Sequence, residues 1–303
     1  MAKRPVMMPM KKPRGPSPEQ IRRRRKAALL GVAVALIAIV IAVVVALPHV
    51  GGSHAATPTV PPPVKPFRVI FPEGFTRAQM AQRVGTVAKI AQRKKGRPVV
   101  LNSKQYLLAT KRAVLPCFAP RRQTNLEGFL FPATYDFFAP TTSRQLANQQ
   151  LQTFCDNWRA LDLSYARKKH LTPYDVLIIA SMIEREALAP EDRPLVSAVI
   201  YNRLHAHMTL GIDATLRYGL HIPSTQSILQ SQLDSNNPYN TRKLPGLPPT
   251  PIANPGLASI QAAAHPAHVN YLYFVRKPDL VHHFFTASGS AFAHYLCAHG
   301  YGC

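Results

Sequence analysis

The 303-residue chain carries 37 Lys/Arg against 14 Asp/Glu, a formal net charge of +23, and 29 prolines. That length holds two modest domains or one large one with a real core, and the composition is neither disordered nor collagen-like. No recognition helix, Gly-rich phosphate loop or interleaved aromatic and basic stripe accompanies the charge, which argues against nucleic acid as a partner.

Residues 1–26 hold ten Lys/Arg and one acid, Glu19; the other 27 basic and 13 acidic residues leave +14 on the rest. That surplus suits an anionic partner such as cell-wall polymer or lipid headgroup. From Ala27 to Leu47 the chain is Ala, Leu, Ile, Val and one Gly, without a charge. At 1.5 Å per residue this run spans about 30 Å, the thickness of a bilayer core. Arg22–Lys26 abut its start, so the positive-inside rule predicts a single-pass anchor with the tail in the cytoplasm and everything after Pro48 outside. A cleaved signal peptide is the rival reading, since small residues follow at Ser53–Ala56, although the apolar run exceeds the usual length of a signal peptide's apolar stretch. Residues 48–66 are Pro-, Gly-, Ser- and Thr-rich and read as a semi-extended linker.

Folded structure is predicted from a short strand at 67–71, a turn at Pro72-Glu73-Gly74, and a helix capped by Thr76 that runs to about Ala91. Further helices are predicted over 103–114, 141–161 (capped by Thr142 or Ser143), 163–170, 173–187, 192–204 and 255–265, with late strands at 270–275 and 282–286. Thr172-Pro173 is a good helix start, because Pro at the first helical position loses no needed N–H. The fold class is α+β and helix-dominated. Cys117, Cys155, Cys297 and Cys303 show no CxxC spacing, and outside the membrane any of three disulfide pairings is open to them.

Carboxylates are scarce after the apolar run, and Glu127, Glu184 and Asp213 stand out among small or apolar neighbours. In VLIIASMIEREA, Val176, Ala180 and Glu184 are spaced by four, so Glu184 closes an apolar helix face. A carboxyl there is desolvated and its pKa raised, which suits a proton donor near neutral pH. An ion pair with Arg193 or Arg203 is the alternative. The aromatic LEGFLFP segment and the amide- and turn-rich stretches 237–241 and 246–256 suit a polyhydroxylated ligand, although they also read as ordinary packing and loops. No His spacing matches a metal motif and no Ser-based elbow is present. Neither metal nor cofactor is therefore expected.

In order, VIFPEGFT (69–76), LEGFLFPATYDF (126–137), IIASMIEREA (178–187), VSAVIYNRL (196–204), IDATLRYG (212–219), NPYNTRKLPGLPPTPIANPG (237–256), YLYFV (271–275) and the HHFFT segment resemble the MltG/YceG-type endolytic murein transglycosylases. The resemblance covers about residues 67–295. It implies a small, abbreviated LysM-like subdomain at 67–120 and a mixed, helix-rich α/β catalytic domain of the YceG-like type at 121–303. It further implies non-hydrolytic cleavage of the MurNAc–GlcNAc β-1,4 bond, leaving 1,6-anhydroMurNAc ends, by an enzyme working beside the peptidoglycan synthases at the cell membrane. Glu184 would be the acid/base and Glu186 would sit behind it. Glu127, Asp213, Tyr239, Asn240 and Thr241 would line or order the glycan cleft, and His283, or its neighbour His282, would close it. Ordinary glycosidases use two carboxylates; an intramolecular hydroxyl removes that need. Two rivals stand beside this reading: a catalytically silent cell-wall scaffold, and a water-using muramidase with Asp213 as its second acid.

Overall fold

The structure, a computed structural model, describes residues 65–95, 98–119 and 122–302, together with Glu19 and Arg22. The predicted basic tail, apolar run 27–47 and most of the linker lie outside the described residues; among those, no helix is long and apolar enough to cross a membrane. Residues 65–303 form one unit with its own core.

Strand β1 (Phe67–Ile70) leads through the Pro72–Gly74 turn into helix α1 (Arg77–Lys95). Thr76 and Gln79 exchange hydrogen bonds at its start, each side chain accepting from the other's backbone N–H, as a capping box requires. The helix runs past Ala91 because Gln92, Arg93, Lys94 and Lys95 are good helix formers. Helix α2 (Ser103–Ala109) starts where the Asn102 side chain accepts from Gln105 N–H, and it ends five residues before the predicted 114. There the chain turns at Thr110 into a two-residue strand, β2 (Ala113–Val114), paired with β3 (Arg122–Gln123).

Strand β4 (Thr134–Phe137) pairs antiparallel with β1, Phe67 opposite Phe137 and Ile70 opposite Thr134. The predicted boundary at 120/121 is thus no break in packing. Helix α3 (Ser143–Trp158) begins with the Thr142–Gln145 capping box, and Cys155 near its end is disulfide-bonded to Cys117. Phe118, Phe129, Phe154 and Trp158 fill the space beside that bond, with Phe118 edge-on to Phe129 and Phe154 stacked on Trp158.

Helices α4 (Ser164–Lys168), α5 (Pro173–Glu186) and α6 (Asp192–His205) follow as expected. The central one is α5: Val176 to Ile183 are all buried, Thr172 and Asp175 form its capping box, and Pro173 opens it. No element was predicted where helices α7 (Asp213–Gly219) and α8 (Gln230–Leu233) form. Helix α9 (Leu257–Ala264) packs along α5, and strands β5 (Tyr273–Arg276) and β6 (His283–Thr286) make a third two-stranded ribbon before helix α10 (Gly289–Ala298). The result is a mixed, helix-rich α/β fold in which β5 is tied to the C-terminal end of α5, Arg276 donating to the Glu186 carbonyl.

Candidate active site

Two acids leave the last turn of α5 in different directions, because residues two apart on an α-helix lie about 200° apart around the axis. Glu184 reaches the start of α9, where its Oε2 accepts from Gly256 N–H at 3.0 Å and from the Ser259 hydroxyl at 2.8 Å. This is a helix-capping arrangement, and the helix dipole favours the charge there. Burial nonetheless raises the Glu184 pKa, with the Glu73 charge adding to it. The Glu73 carboxylate from the β1–α1 turn lies directly over Gly256, in the space a Cβ would take.

Glu186 faces a separate cleft of about 760 Å³, also lined by Asp213, Arg242, Arg276 and His283; Glu184 is not among its lining residues. Burial pushes the Glu186 carboxyl up to about 7, and the nearby Asp213 charge adds to that. Arg276 and the Ala214 N–H at the start of α7 pull the other way without cancelling it. Arg276 is held to α5 by donating to the Glu186 carbonyl at 2.9 Å. Asp213 pairs with Arg242 across the cleft. The site thus combines an acid whose pKa is raised to about 7 with a second carboxylate, Asp213, and three arginines, Arg203, Arg242 and Arg276.

His283 closes one wall. It is 4% exposed, and both its backbone N–H and its ring Nδ1 lie on Asp192 Oδ2, at 2.7 and 2.8 Å. Burial lowers the His283 pKa, only partly offset by Asp192. The ring is therefore neutral at pH 7, donating from Nδ1 and leaving the Nε2 lone pair as an acceptor. His282 points outward to Asp279 and Glu191. The geometry chooses between the neighbouring histidines: His283 alone lines the cleft. Replacing Asp192 with Ala removes the acceptor shared by the His283 backbone N–H and Nδ1 and is expected to release the ring's tautomer preference, visible in the imidazole ¹⁵N shifts. It should cost about 1–3 kcal/mol, and unchanged shifts would contradict the assignment.

The other predicted residues stand behind these walls. Glu127 is 4% exposed. It accepts from Arg77 N–H at 2.8 Å, the Asn254 amide at 2.9 Å and the Tyr218 hydroxyl at 3.1 Å. Burial pushes its pKa up to about 7 despite those donors. Tyr239 packs on Tyr218 at 5.2 Å between ring centres and shares a hydrogen bond with Thr250. Asn240 and Thr241 are buried. The Asn240 amide donates to the Leu233 and Ser235 carbonyls, and the Thr241 hydroxyl accepts from Ile212 N–H beside Asp213. Their side chains thus fix the backbone around Asp213 rather than opening onto the cleft.

Asn254, Asp192, Arg242 and Arg276 carry much of this architecture and were not picked out as site residues. Asn254 Oδ1 accepts from Gly128 and Leu130 N–H, both at 2.9 Å, while its Nδ2 donates to Phe75 O and Glu127 Oε1, also at 2.9 Å. Its only signal in the sequence was its place in a rigid, turn-rich loop. Among the described residues no group of three His, Cys, Asp or Glu is arranged to hold a metal ion.

The model of the YceG-like family matches residues 55–295. An endolytic murein transglycosylase of Bacillus subtilis is 39% identical over 156 residues, covering 51% of this chain and 42% of that protein. Another, from Streptococcus pneumoniae R6, is 32% identical over 220 residues, covering 68% of this chain and 39% of that protein. The chain therefore spans about two fifths of the length of the curated relatives it matches. The crystal structure of a yceG-like protein from Listeria monocytogenes superposes with a TM-score of 0.61 at 25% identity, covering 77% of this chain and 76% of that one.

Proposed function

The chain belongs to the YceG-like family, and we propose that it is an endolytic murein transglycosylase acting on peptidoglycan glycan strands. The observation that carries this reading is Glu186, an acid pushed up to about 7 on a cleft of about 760 Å³. Among acids of ordinary pKa only a small fraction is protonated at neutral pH; here about half is.

In the proposed reaction the protonated Glu186 gives its proton to the glycosidic oxygen as the bond to MurNAc C1 breaks. The resulting carboxylate takes the proton from the MurNAc 6-hydroxyl, whose oxygen closes on C1 to form the 1,6-anhydro ring. The acid is regenerated and no water is consumed. Asp213, paired with Arg242, is suited to stabilise positive charge developing at C1. The neutral His283 offers its Nε2 to a sugar hydroxyl.

The resemblance implies Glu184 as the acid/base; in the proposed reaction that role falls to Glu186, two positions on. Glu184 is committed to capping α9, and that role supports placing it behind the site. Glu127, Tyr239, Asn240 and Thr241 order the cleft rather than touch the sugar. We further propose that residues 27–47 anchor the protein as a single span, with the enzyme outside the membrane beside the synthases. Residues 67–120 would be its abbreviated LysM-like part and 121–303 its catalytic part.

Mass spectrometry of strands digested by the full chain tests the reaction. AnhydroMurNAc ends are expected, and none should form with Glu186→Gln. Reducing ends would show hydrolysis instead, with Asp213 as the second acid.

A further inference from the structure

The surplus of positive charge beyond the N-terminal tail is not spread over the protein. Residues 65–126 hold fourteen Lys/Arg and one acid, Glu73, whereas residues 127–303 hold thirteen Lys/Arg and twelve acids. Nearly the whole +14 thus falls within residues 65–126, none of which is among the lining residues of the cleft.

On α2, Lys104, Leu107 and Leu108 are spaced by three and four and share one face. Lys111 and Arg112 follow within three residues of the helix end, and Val114 stands opposite Arg122 in the ribbon. These cations are exposed, and among the described residues none of them makes an ion pair. Leu108 is 56% and Val114 65% exposed, with Leu107 beside them at 37%. Lys89, Arg93 and Lys94 add exposed charge on the second half of α1 without an acid between them.

Cations alone would fit any polyanion. Cations interleaved with exposed Leu and Val fit a surface that is anionic at the top and apolar just beneath. A soluble wall polymer offers nothing for Leu108 or Val114 to enter. We propose that α2 and the β2–β3 ribbon form a membrane-docking face that seats on anionic phospholipid, its cations among the headgroups and Leu107, Leu108 and Val114 at the acyl boundary. The face would hold the cleft at a fixed height and attitude over the bilayer, whether or not the chain is also anchored by its N-terminal run. The proposal is independent of the reaction assigned to the cleft.

The full chain carrying Leu108→Trp provides the test, since its one native tryptophan, Trp158, is buried and gives a constant background. The chain is mixed with vesicles bearing brominated acyl chains, made either of phosphatidylcholine alone or of equal parts phosphatidylcholine and phosphatidylglycerol. Roughly half the added fluorescence should be quenched in the anionic vesicles and almost none in the neutral ones, because the cations draw the face in. High salt should reverse the quenching. Each headgroup-facing cation strengthens partitioning about fivefold, so Lys104→Glu, Lys111→Glu and Arg112→Glu together should abolish it. Product formation from soluble strands should stay unchanged in that variant. Equal quenching in both vesicle types, or none in the anionic ones, overturns the proposal. So does tight binding of soluble polyglycerol phosphate without quenching, which would give the face to a wall polymer.

Discussion

Glu186→Gln is expected to leave the protein folded and to lower turnover of glycan strands about 10³-fold, the range for losing a general acid. Glutamine keeps the shape and the acceptor toward Ala214 N–H but has no proton to give. Glu184→Gln should cost no more than about tenfold, because Gln still accepts from Gly256 N–H and Ser259 and so keeps α9 capped. If the larger loss fell on Glu184 instead, the assignment of the two acids would be reversed. The pH dependence separates them further. With a Glu186 pKa of about 7, kcat/KM should fall about tenfold per pH unit above that value.

Stability shows the same acid with the opposite sign. Its folded pKa lies above the ordinary carboxyl value of 4.5, so the folded state holds the proton more tightly than the unfolded chain does. That contribution is fully present below 4.5 and is lost as pH rises through about 7. The ionised carboxylate costs at most about 3 kcal/mol above that window, and Glu186→Gln removes the cost. The inactive variant should therefore melt at a higher temperature than the parent at pH 8 and at nearly the same temperature at pH 4.

The largest loss of stability is expected at Asn254, which touches no cleft residue. Its amide joins the β1–α1 turn, the LEGFLFP segment and the loop before α9 through four hydrogen bonds. Alanine there strands two buried N–H groups and takes a donor from the buried Glu127. At about 1–3 kcal/mol for each unsatisfied group, the sum is about 4 kcal/mol, or a melting point lower by about 10 °C for a domain of this size. Asn254→Asp should be worse than alanine at pH 8, where a second carboxylate faces Glu127, and should recover as pH falls and the pair takes up protons. A melting curve of Asn254→Ala within 2 °C of the parent would contradict this account.

The elements that could be read from the sequence are those whose causes are local. Thr142 and Thr172 are cap residues with a partner three positions on, and both start helices where expected. The apolar run 176–183 became the buried α5. Strand β4 was missed because its pairing with β1 joins residues 64 to 70 positions apart, and α7 because no side-chain cap marks its start at Ile212. The surroundings of the two acids could not be read from the sequence for a related reason. The apolar pattern around Glu184 is real and does desolvate it, but helix periodicity shows only that a face is covered, not what covers it. Only the fold brings α9 over Glu184 and the Asp213–Arg242 pair and His283 toward Glu186.

The Cys117–Cys155 bond has a consequence for where the protein can mature. It closes a loop of 38 residues, and constraining the unfolded chain to that extent is worth about 4 kcal/mol in the chain-entropy account. A copy retained in a reducing compartment would lack that constraint while keeping every other contact. It would populate its opened states about a thousand times more often, the factor that 4 kcal/mol represents, and would be correspondingly exposed to proteolysis. The bond thus ties durability to the redox surroundings: only molecules matured under oxidising conditions gain that constraint.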